Sequence, residues 1–200
     1  FLKMALRLGS LFACRVVPAY TSSLKQSIPK TSFVAKAAFV QTRQVHVERR
    51  MKELGFEIPH KTVEPKGNYI ICVRTGNLIF VAGHIPQKPD GELITGKIGV
   101  DMTTEEGYDA AQLCALNIIA TLKAELGDLD KVKKVVKVLG FVSCHDDFTE
   151  QVNVVNGASD MFGTCFGEKG IHSRAAVGTN SLPLRIPVEI EAIVEVEEGV

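Results

Sequence analysis

The sequence has little of what builds a metal centre or a disulfide framework. Its five cysteines and five histidines are scattered along 200 residues, with no C-x-x-C pair and no matching histidine spacing. Zinc sites need such spacings, so the sequence predicts no metal site. An odd number of separated cysteines favours reduced thiols in or near a core.

Acidic residues are absent from residues 1–47, which contain seven basic residues and many Ser and Thr residues. This composition is typical of an organellar transit peptide, although a disordered basic tail would have the same composition. We therefore expect a presequence over 1–47 and a folded domain over 48–200. The mitochondrial matrix is the favoured location, with a plastid or the cytoplasm as alternatives.

Long apolar runs and basic surfaces are also missing. The apolar run around 8–17 is interrupted by Arg15 and is too short to span a membrane. All 23 acidic residues lie from Glu48 onward, which leaves residues 48–200 with a net charge of −7. An acidic domain offers no footprint for general binding of RNA or DNA. The sequence therefore predicts neither a membrane nor a nucleic-acid partner.

Common cofactor motifs are missing as well. The sequence contains no glycine-rich phosphate loop and no dinucleotide-binding fingerprint, and the residue spacing does not assemble a nucleophile triad. If the protein is an enzyme, its chemistry depends on positioned polar groups and water. We expect no bound cofactor.

The hydrophobic pattern predicts an α+β fold. A short helix around 48–54 precedes two apolar strands, 69–73 and 78–83, that flank a hairpin turn at 74–77. A helix over 103–129 begins with a Thr103/Glu106 capping box and stops at Gly127. A valine-rich strand follows over 132–144, then a second helix over 147–167 whose apolar positions begin at Val152, then strands at 172–178 and 187–197. This order predicts a single β-sheet with two helices packed on one face.

The last strand has two different faces. Its apolar set is Val188, Ile190, Ala192, Val194 and Val196, and its other face carries glutamates at every position except Ile193. We expect the apolar face to pack under the helices. The charged face with one apolar residue would suit a subunit interface.

Four segments carry a resemblance to a known family. They are 76-GNLIFVAGHIP-86, 141-FVSCHDDF-148, 173-SRAAVGTNSLP-183 and 188-VEIEAI-193, in this order and spacing. Over about residues 55–197 the chain resembles the YjgF/YER057c/UK114 family, also called the Rid (reactive intermediate deaminase) or endoribonuclease L-PSP family. The resemblance implies a chorismate-mutase-like mixed sheet, assembly as a homotrimer, and sites in clefts between adjacent subunits.

The resemblance implies two catalytic residues. Arg174 matches the family arginine that pairs with a substrate carboxylate, a role that suits a planar guanidinium with two parallel N–H donors. Taken without the motif, Arg174 would be a strand-end arginine in a surface ion pair. Glu189 matches the family glutamate that helps to hold the attacking water, whereas the strand pattern alone leaves it among solvated glutamates.

The resemblance also implies four substrate-binding positions. Tyr69 stands at the head of the first strand, and Gly83 lies where the backbone approaches the ligand. Asn156 matches an asparagine on the second helix, and Ala176 replaces a cysteine that acts through its backbone. Each of the first three also has a purely structural alternative. Tyr69 could be a half-buried strand aromatic, Gly83 could let the strand turn, and Asn156 could be a polar residue on the helix surface.

The leading hypothesis is a cofactor-independent imine deaminase. It would convert 2-iminobutanoate or 2-iminopropanoate to a 2-oxo acid and ammonia, with Arg174 on the carboxylate and Glu189 orienting water. Ala82 and His84 stand where the family often has Ser and Gln, which leaves the preferred substrate side chain open. The alternatives are a non-catalytic 2-oxo-acid-binding or chaperone-like trimer and, less favoured for an acidic domain, an endoribonuclease or translation inhibitor.

Overall fold

The computed structural model describes residues 46–60 and 62–199. Its strands are β1 (Cys72–Thr75), β2 (Leu78–His84), β3 (Val132–Ser143), β4 (Ser173–Thr179) and β5 (Val188–Val196), and its helices are α1 (Val47–Glu53), α2 (Thr104–Leu126) and α3 (Gln151–Phe166). The strands form one sheet in the order β1–β2–β5–β3–β4. Only the β3–β4 pair is parallel, among the strands described. The predicted α+β fold with one mixed sheet is confirmed.

Helix α2 begins and ends where the sequence signals predict. The Thr103 hydroxyl accepts a hydrogen bond from the Glu106 backbone N–H at 3.2 Å, and the Glu106 carboxylate accepts one from the Thr103 N–H at 2.7 Å. These two bonds satisfy N–H groups that the first turn leaves without helical partners. At the other end Gly127 has a φ of 73°, a left-handed conformation that glycine adopts without a Cβ clash.

The last strand shows the predicted alternation. Its buried residues are Val188, Ile190, Ala192, Val194 and Val196, and they belong to one core with side chains of α2 and α3. Burying an aliphatic side chain of this size contributes about 1.5–3 kcal/mol. Because successive strand residues point to opposite faces, Glu189 lies on the face of the sheet away from α2 and α3. We call this second face the open face.

Apolar side chains cross the open face in a row. Val73 pairs with Phe80, and Phe80 pairs with Ile193. Val73 and Phe80 are exposed, and Ile193 is half-buried. An exposed apolar row of this kind is typical of a surface that packs against another chain.

Two details differ from the sequence prediction. Strand β1 begins at Cys72, so Tyr69 precedes the strand. Regular pairing of β1 with β2 ends at the Cys72–Val81 pair, and beyond it the Ala82 N–H donates to the Ile71 carbonyl oxygen at 2.9 Å. Val152 is 54% exposed because the buried stripe of α3 runs through Val154, Ala158, Met161 and Cys165, which leaves Val152 on its margin.

Most of the expected presequence, residues 1–45, lies outside the described residues. Within the described part, no helix is both long and apolar enough to cross a bilayer. The same residues contain no group of three or more His, Cys, Asp or Glu side chains arranged to bind a metal ion. The four cysteines described there are free thiols.

Candidate functional site

Arg174 extends from β4 over the surface of α3. Its Nη1 donates hydrogen bonds to Asn156 Oδ1 at 2.9 Å and Ser159 Oγ at 2.8 Å, and its Nη2 lies 3.4 Å from the Val152 carbonyl oxygen. All three acceptors are uncharged. Within the described part of the chain, no carboxylate lies within ion-pair distance of Arg174, so its positive charge is not neutralised by the protein.

The hydrogen bonds of Arg174 leave one side of its guanidinium available. Both Nη1 hydrogens are used by Asn156 and Ser159, and one Nη2 hydrogen points to the Val152 carbonyl. The Nε–H and the second Nη2 hydrogen have no acceptor among residues 46–60 and 62–199. These two donors are parallel, which is the arrangement that binds a carboxylate with two hydrogen bonds.

Ser159 and His172 hold Arg174 in place, and sequence reasoning missed both. His172 Nδ1 lies 2.6 Å from the Gly170 carbonyl oxygen, which can only accept, so Nδ1 carries the proton. Its Nε2 therefore accepts from the Ser159 hydroxyl at 3.0 Å, and the Ser159 oxygen accepts from Arg174. Two spacings in the sequence indicate that these residues lie near Arg174. Ser159 follows Asn156 by about one helical turn, and His172 precedes Arg174 by two residues.

The imidazole of His172 is neutral at neutral pH. Burial lowers its pKa, and the positive charge of Arg174 lowers it further, while the hydrogen bond to Gly170 acts in the opposite direction. The ring packs edge-on against Phe162 with 5.9 Å between centroids. Because the imidazole is neutral, its Nε2 can accept from Ser159. The Ser159 hydroxyl then donates to His172 and accepts from Arg174.

Ala176 lies two residues after Arg174 on the same strand and therefore on the same face of the sheet. It pairs with Gly140 of β3 and packs against the main core. Its methyl group offers no reactive atom. Any contribution of this position to a ligand must come from its backbone.

Glu189 and Gly83 lie together on the open face. The Glu189 carboxylate occupies the space that a Cβ at position 83 would need. Gly83 stands in the register shift of β2, so a residue without a side chain is required where the glutamate crosses the strand. The structure gives the Glu189 carboxylate no hydrogen-bond donor among the residues it describes.

The surroundings of Glu189 make its carboxylate a stronger base than usual. Burial raises its pKa, and the like charge of Glu191 raises it further. The thiol of Cys114, which is fully buried, has its own pKa raised by burial and then by the charge of Glu189. Cys114 is therefore held protonated beside the site and is not suited to act as a nucleophile.

His84 ties the register shift of β2 to α2. Its Nδ1 lies 2.7 Å from the Ala82 carbonyl oxygen and must donate to it, so its Nε2 accepts from the Thr121 hydroxyl at 2.8 Å. The ring is fully buried, and burial lowers the pKa of His84 to about 4. The neighbour of Gly83 is thus a neutral histidine that fixes the local backbone.

Tyr69 lies at the end of the sheet where Gly83 is found. The Ala82 N–H donates to the Ile71 carbonyl oxygen at 2.9 Å, which aligns the segment before β1 with the end of β2. The Tyr69 side chain is 47% exposed, and its hydroxyl accepts from the Lys66 backbone N–H at 3.2 Å. Its exposed ring is accessible to a ligand or to another chain.

The six site residues predicted from the sequence thus form two groups in one chain. Arg174, Asn156 and Ala176 lie on the helix side of the sheet, where Arg174 pairs with Val138 of β3. Glu189 pairs with Phe141 of β3, three positions further along, and so faces the other way. Gly83 and Tyr69 lie with Glu189. A single chain does not bring Arg174 and Glu189 into one cleft.

Comparisons with known proteins agree with this fold. The model of the family described as "YjgF/chorismate_mutase-like, putative endoribonuclease" matches residues 48–194. The chain is 42% identical over 150 residues to Protein TCP17 of Trypanosoma cruzi, which covers 74% of this chain and 93% of that protein. It is 31% identical over 144 residues to RutC family protein PH0854 of Pyrococcus horikoshii, with 72% and 97% covered.

A solved structure gives the same result. The crystal structure of the protein Atu1372 from Agrobacterium tumefaciens matches with a TM-score of 0.70 at 44% identity, over 77% of this chain and 96% of that chain. The match to the family model includes both Arg174 and Glu189. The chain belongs to the YjgF/chorismate mutase-like family.

Proposed function

We propose that the protein hydrolyses reactive 2-imino acids to 2-oxo acids and ammonia, in a site completed by a second copy of the chain. The observation that carries the proposal is the guanidinium of Arg174, which is anchored by neutral acceptors and keeps two parallel donors free. A small carboxylate is the ligand that such an edge binds best. The resemblance to the Rid family supplies the reaction class.

The reaction needs few groups. Arg174 holds the substrate carboxylate, which places the neighbouring iminium carbon at a fixed point. Glu189 accepts a proton from a water molecule as the water oxygen bonds to that carbon. The proton then passes to the amino group. Glu189 takes the proton of the new hydroxyl group as the C=O bond forms and the C–N bond breaks, and it passes this proton to the departing ammonia, so that a 2-oxo acid and ammonium remain. The raised pKa of Glu189 suits a group that takes and returns a proton near neutral pH.

The separation of the two groups in one chain supports a site between copies. In a ring of identical subunits, each contact joins two different surfaces, so Glu189 of one copy can face Arg174 of the next. The apolar row Val73–Phe80–Ile193 on the open face offers a surface for such a contact. A homotrimer, which the family resemblance implies, has this symmetry.

The test couples the protein to a pyridoxal-phosphate dehydratase that generates 2-iminobutanoate, and it follows ammonia release. We expect the wild-type protein to accelerate release, and Arg174→Ala and Glu189→Gln to abolish the acceleration. Glu195→Gln is the matched control, since Glu195 lies on the same face of β5, six residues from Glu189, and pairs with Lys133. Unchanged release with the wild-type protein, or full activity in Arg174→Ala, would overturn the proposal. Saturable binding of 2-oxobutanoate without acceleration would indicate a binding protein instead.

A further inference from the structure

A cleft of about 400 Å³ lies beside α2, and none of the six site residues predicted from the sequence lines it. One wall is formed by residues of the segments 59–60 and 62–66, and the other by the turn 87–91. Asn117 of α2 lines the cleft between these walls. A cleft of this volume is large enough to hold a small organic ligand.

Asn117 presents an unused acceptor to this cleft. Its Nδ2 donates to the Ile85 carbonyl oxygen at 3.1 Å and to the Gln87 carbonyl oxygen at 3.0 Å. Carbonyl oxygens only accept, so the amide nitrogen must face them, and Oδ1 is left without a donor among residues 46–60 and 62–199. Every fully buried side-chain nitrogen or oxygen in these residues has a partner. Asn117 Oδ1 therefore opens to the cleft, although only 3% of the residue is exposed.

The walls of the cleft add three further acceptor groups. Gln87 Nε2 donates to the Gly91 carbonyl oxygen at 3.0 Å, which leaves Gln87 Oε1 available. One oxygen of Asp90 accepts from the Glu92 backbone N–H at 2.9 Å, and the other has no donor in the described part of the chain. The Glu64 carboxylate, which also lines the cleft, has no donor there either. Two amide oxygens and two carboxylates thus face one space.

Two lysines line the same cleft, and their charges are used differently. Lys88 Nζ lies 2.6 Å from Glu92 Oε2, so its charge is already paired. The Lys66 side-chain nitrogen has no acceptor among the residues that the structure describes, and only its backbone N–H is bonded, to the Tyr69 hydroxyl. Lys66 is therefore the available cation of a cleft that otherwise offers acceptors.

We propose that this cleft binds a small molecule through its primary ammonium group. An ammonium has three donors and no acceptor, which matches the unused oxygens of Asn117, Gln87 and Asp90. Its positive charge also suits the carboxylates of the walls. Simple amines and free α-amino acids both carry this group, and an amino acid adds a carboxylate for which Lys66 is the available cation. The inference does not depend on the proposed function, because neither Arg174 nor Glu189 lines the cleft.

The test follows the side-chain amide signals of Asn117 by NMR while the full chain is titrated with three probes at neutral pH. Ethylamine has only the ammonium, propanoate has only the carboxylate, and L-alanine has both. We expect ethylamine and L-alanine to shift the Asn117 signals saturably, and propanoate to leave them in place. Tighter binding of L-alanine than of ethylamine, lost in Lys66→Gln, would identify free amino acids as the preferred source of the ammonium. Equal binding of the two would identify simple amines.

A matched pair of variants tests the walls of the cleft. Gln87→Met removes Oε1 but keeps the Gln87 carbonyl that binds Asn117, and it should weaken ethylamine binding about tenfold, the cost of a hydrogen bond to a charged group. Gln112→Met makes the same exchange on α2 outside the cleft and should bind ethylamine like the wild-type protein.

Two results would overturn the proposal. Asn117 signals that stay in place with both ethylamine and L-alanine would show that water satisfies Oδ1. Equal affinity for ethylamine in Gln87→Met and Gln112→Met would show that the ammonium binds elsewhere. Neither result affects the proposed function, which is tested by ammonia release.

Discussion

The carboxylate of Glu189 occupies the space beside Gly83 that a side chain at that position would fill. The two residues come from different strands, and only the absence of a Cβ lets the carboxylate lie across β2 at its register shift. The backbone of β2 therefore sets where the proposed base stands. A substitution at position 83 therefore moves the Glu189 carboxylate without replacing Glu189 itself.

Gly83→Ala is expected to abolish most of the activity while leaving the fold intact. The methyl group would displace Glu189 Oε1, Cδ and Cγ, the outer part of a flexible side chain, so the carboxylate swings away. The free energy of unfolding, measured with urea, should fall by only about 1 kcal/mol. Glu189→Ala added to Gly83→Ala should restore that stability without restoring activity. Wild-type activity in Gly83→Ala would contradict the placement of the base.

The pH dependence of kcat/KM is expected to have an acid limb controlled by Glu189. Burial and Glu191 raise the pKa of Glu189 above the ordinary value of 4.5, so the base is lost by protonation at a pH above that value. Glu191→Gln removes the like charge, lowers the pKa of Glu189 and moves the limb to lower pH. If the acid limb does not move in Glu191→Gln, a group other than Glu189 controls it.

Ser159→Ala is expected to weaken substrate binding more than it slows the chemical step. The substitution removes the acceptor that joins Arg174 to His172, so the guanidinium loses one of its anchors. KM should rise roughly tenfold, the cost of a hydrogen bond to a charged group, with a smaller change in kcat. Ser181→Ala, on an exposed loop, is the control. A fall in kcat with KM unchanged would contradict a positioning role.

His84 is expected to make the protein less stable in acid. Its pKa is about 4 in the folded state against 6.5 for an ordinary histidine, so the folded state binds fewer protons between these values. The stability is present above pH 6.5 and is lost as the pH falls toward 4, by about 3 kcal/mol in all. His84→Gln should flatten the unfolding free energy over this range, apart from a remaining slope from His172.

The control for His84 is His145→Gln, because the side chain of His145 is 54% exposed. This variant should keep the steep loss of stability between pH 6.5 and pH 4. Equal slopes in His84→Gln and His145→Gln would show that the buried imidazole is not the group responsible. Both measurements use urea unfolding at a series of pH values.

Local sequence patterns predicted the elements well because their causes are local. The Thr103/Glu106 capping box and Gly127 set the ends of α2, and the alternation from Val188 onward assigned the faces of β5. Tyr69 was placed at the head of β1, whereas the strand starts at Cys72. That start depends on where pairing with β2 ends, at Val81, a property of the partner strand that the sequence around Tyr69 does not carry.

The site was harder to predict than the fold because its contacts join distant segments. Nothing near Ser159 indicates that its hydroxyl lies between Arg174 and His172. The opposite facing of Arg174 and Glu189 follows from their registers against β3, which only the assembled sheet defines. Family resemblance named these two residues, and the geometry adds that they belong to different faces.

Mixing two inactive variants tests the central claim, that Arg174 of one copy works with Glu189 of another. Arg174→Ala and Glu189→Gln are each expected to be inactive alone. Refolded together at equal amounts, they should regain about a quarter of wild-type deaminase activity, because one contact in four pairs an intact arginine with an intact glutamate. Activity of the mixture no greater than that of either variant would contradict a site shared between copies.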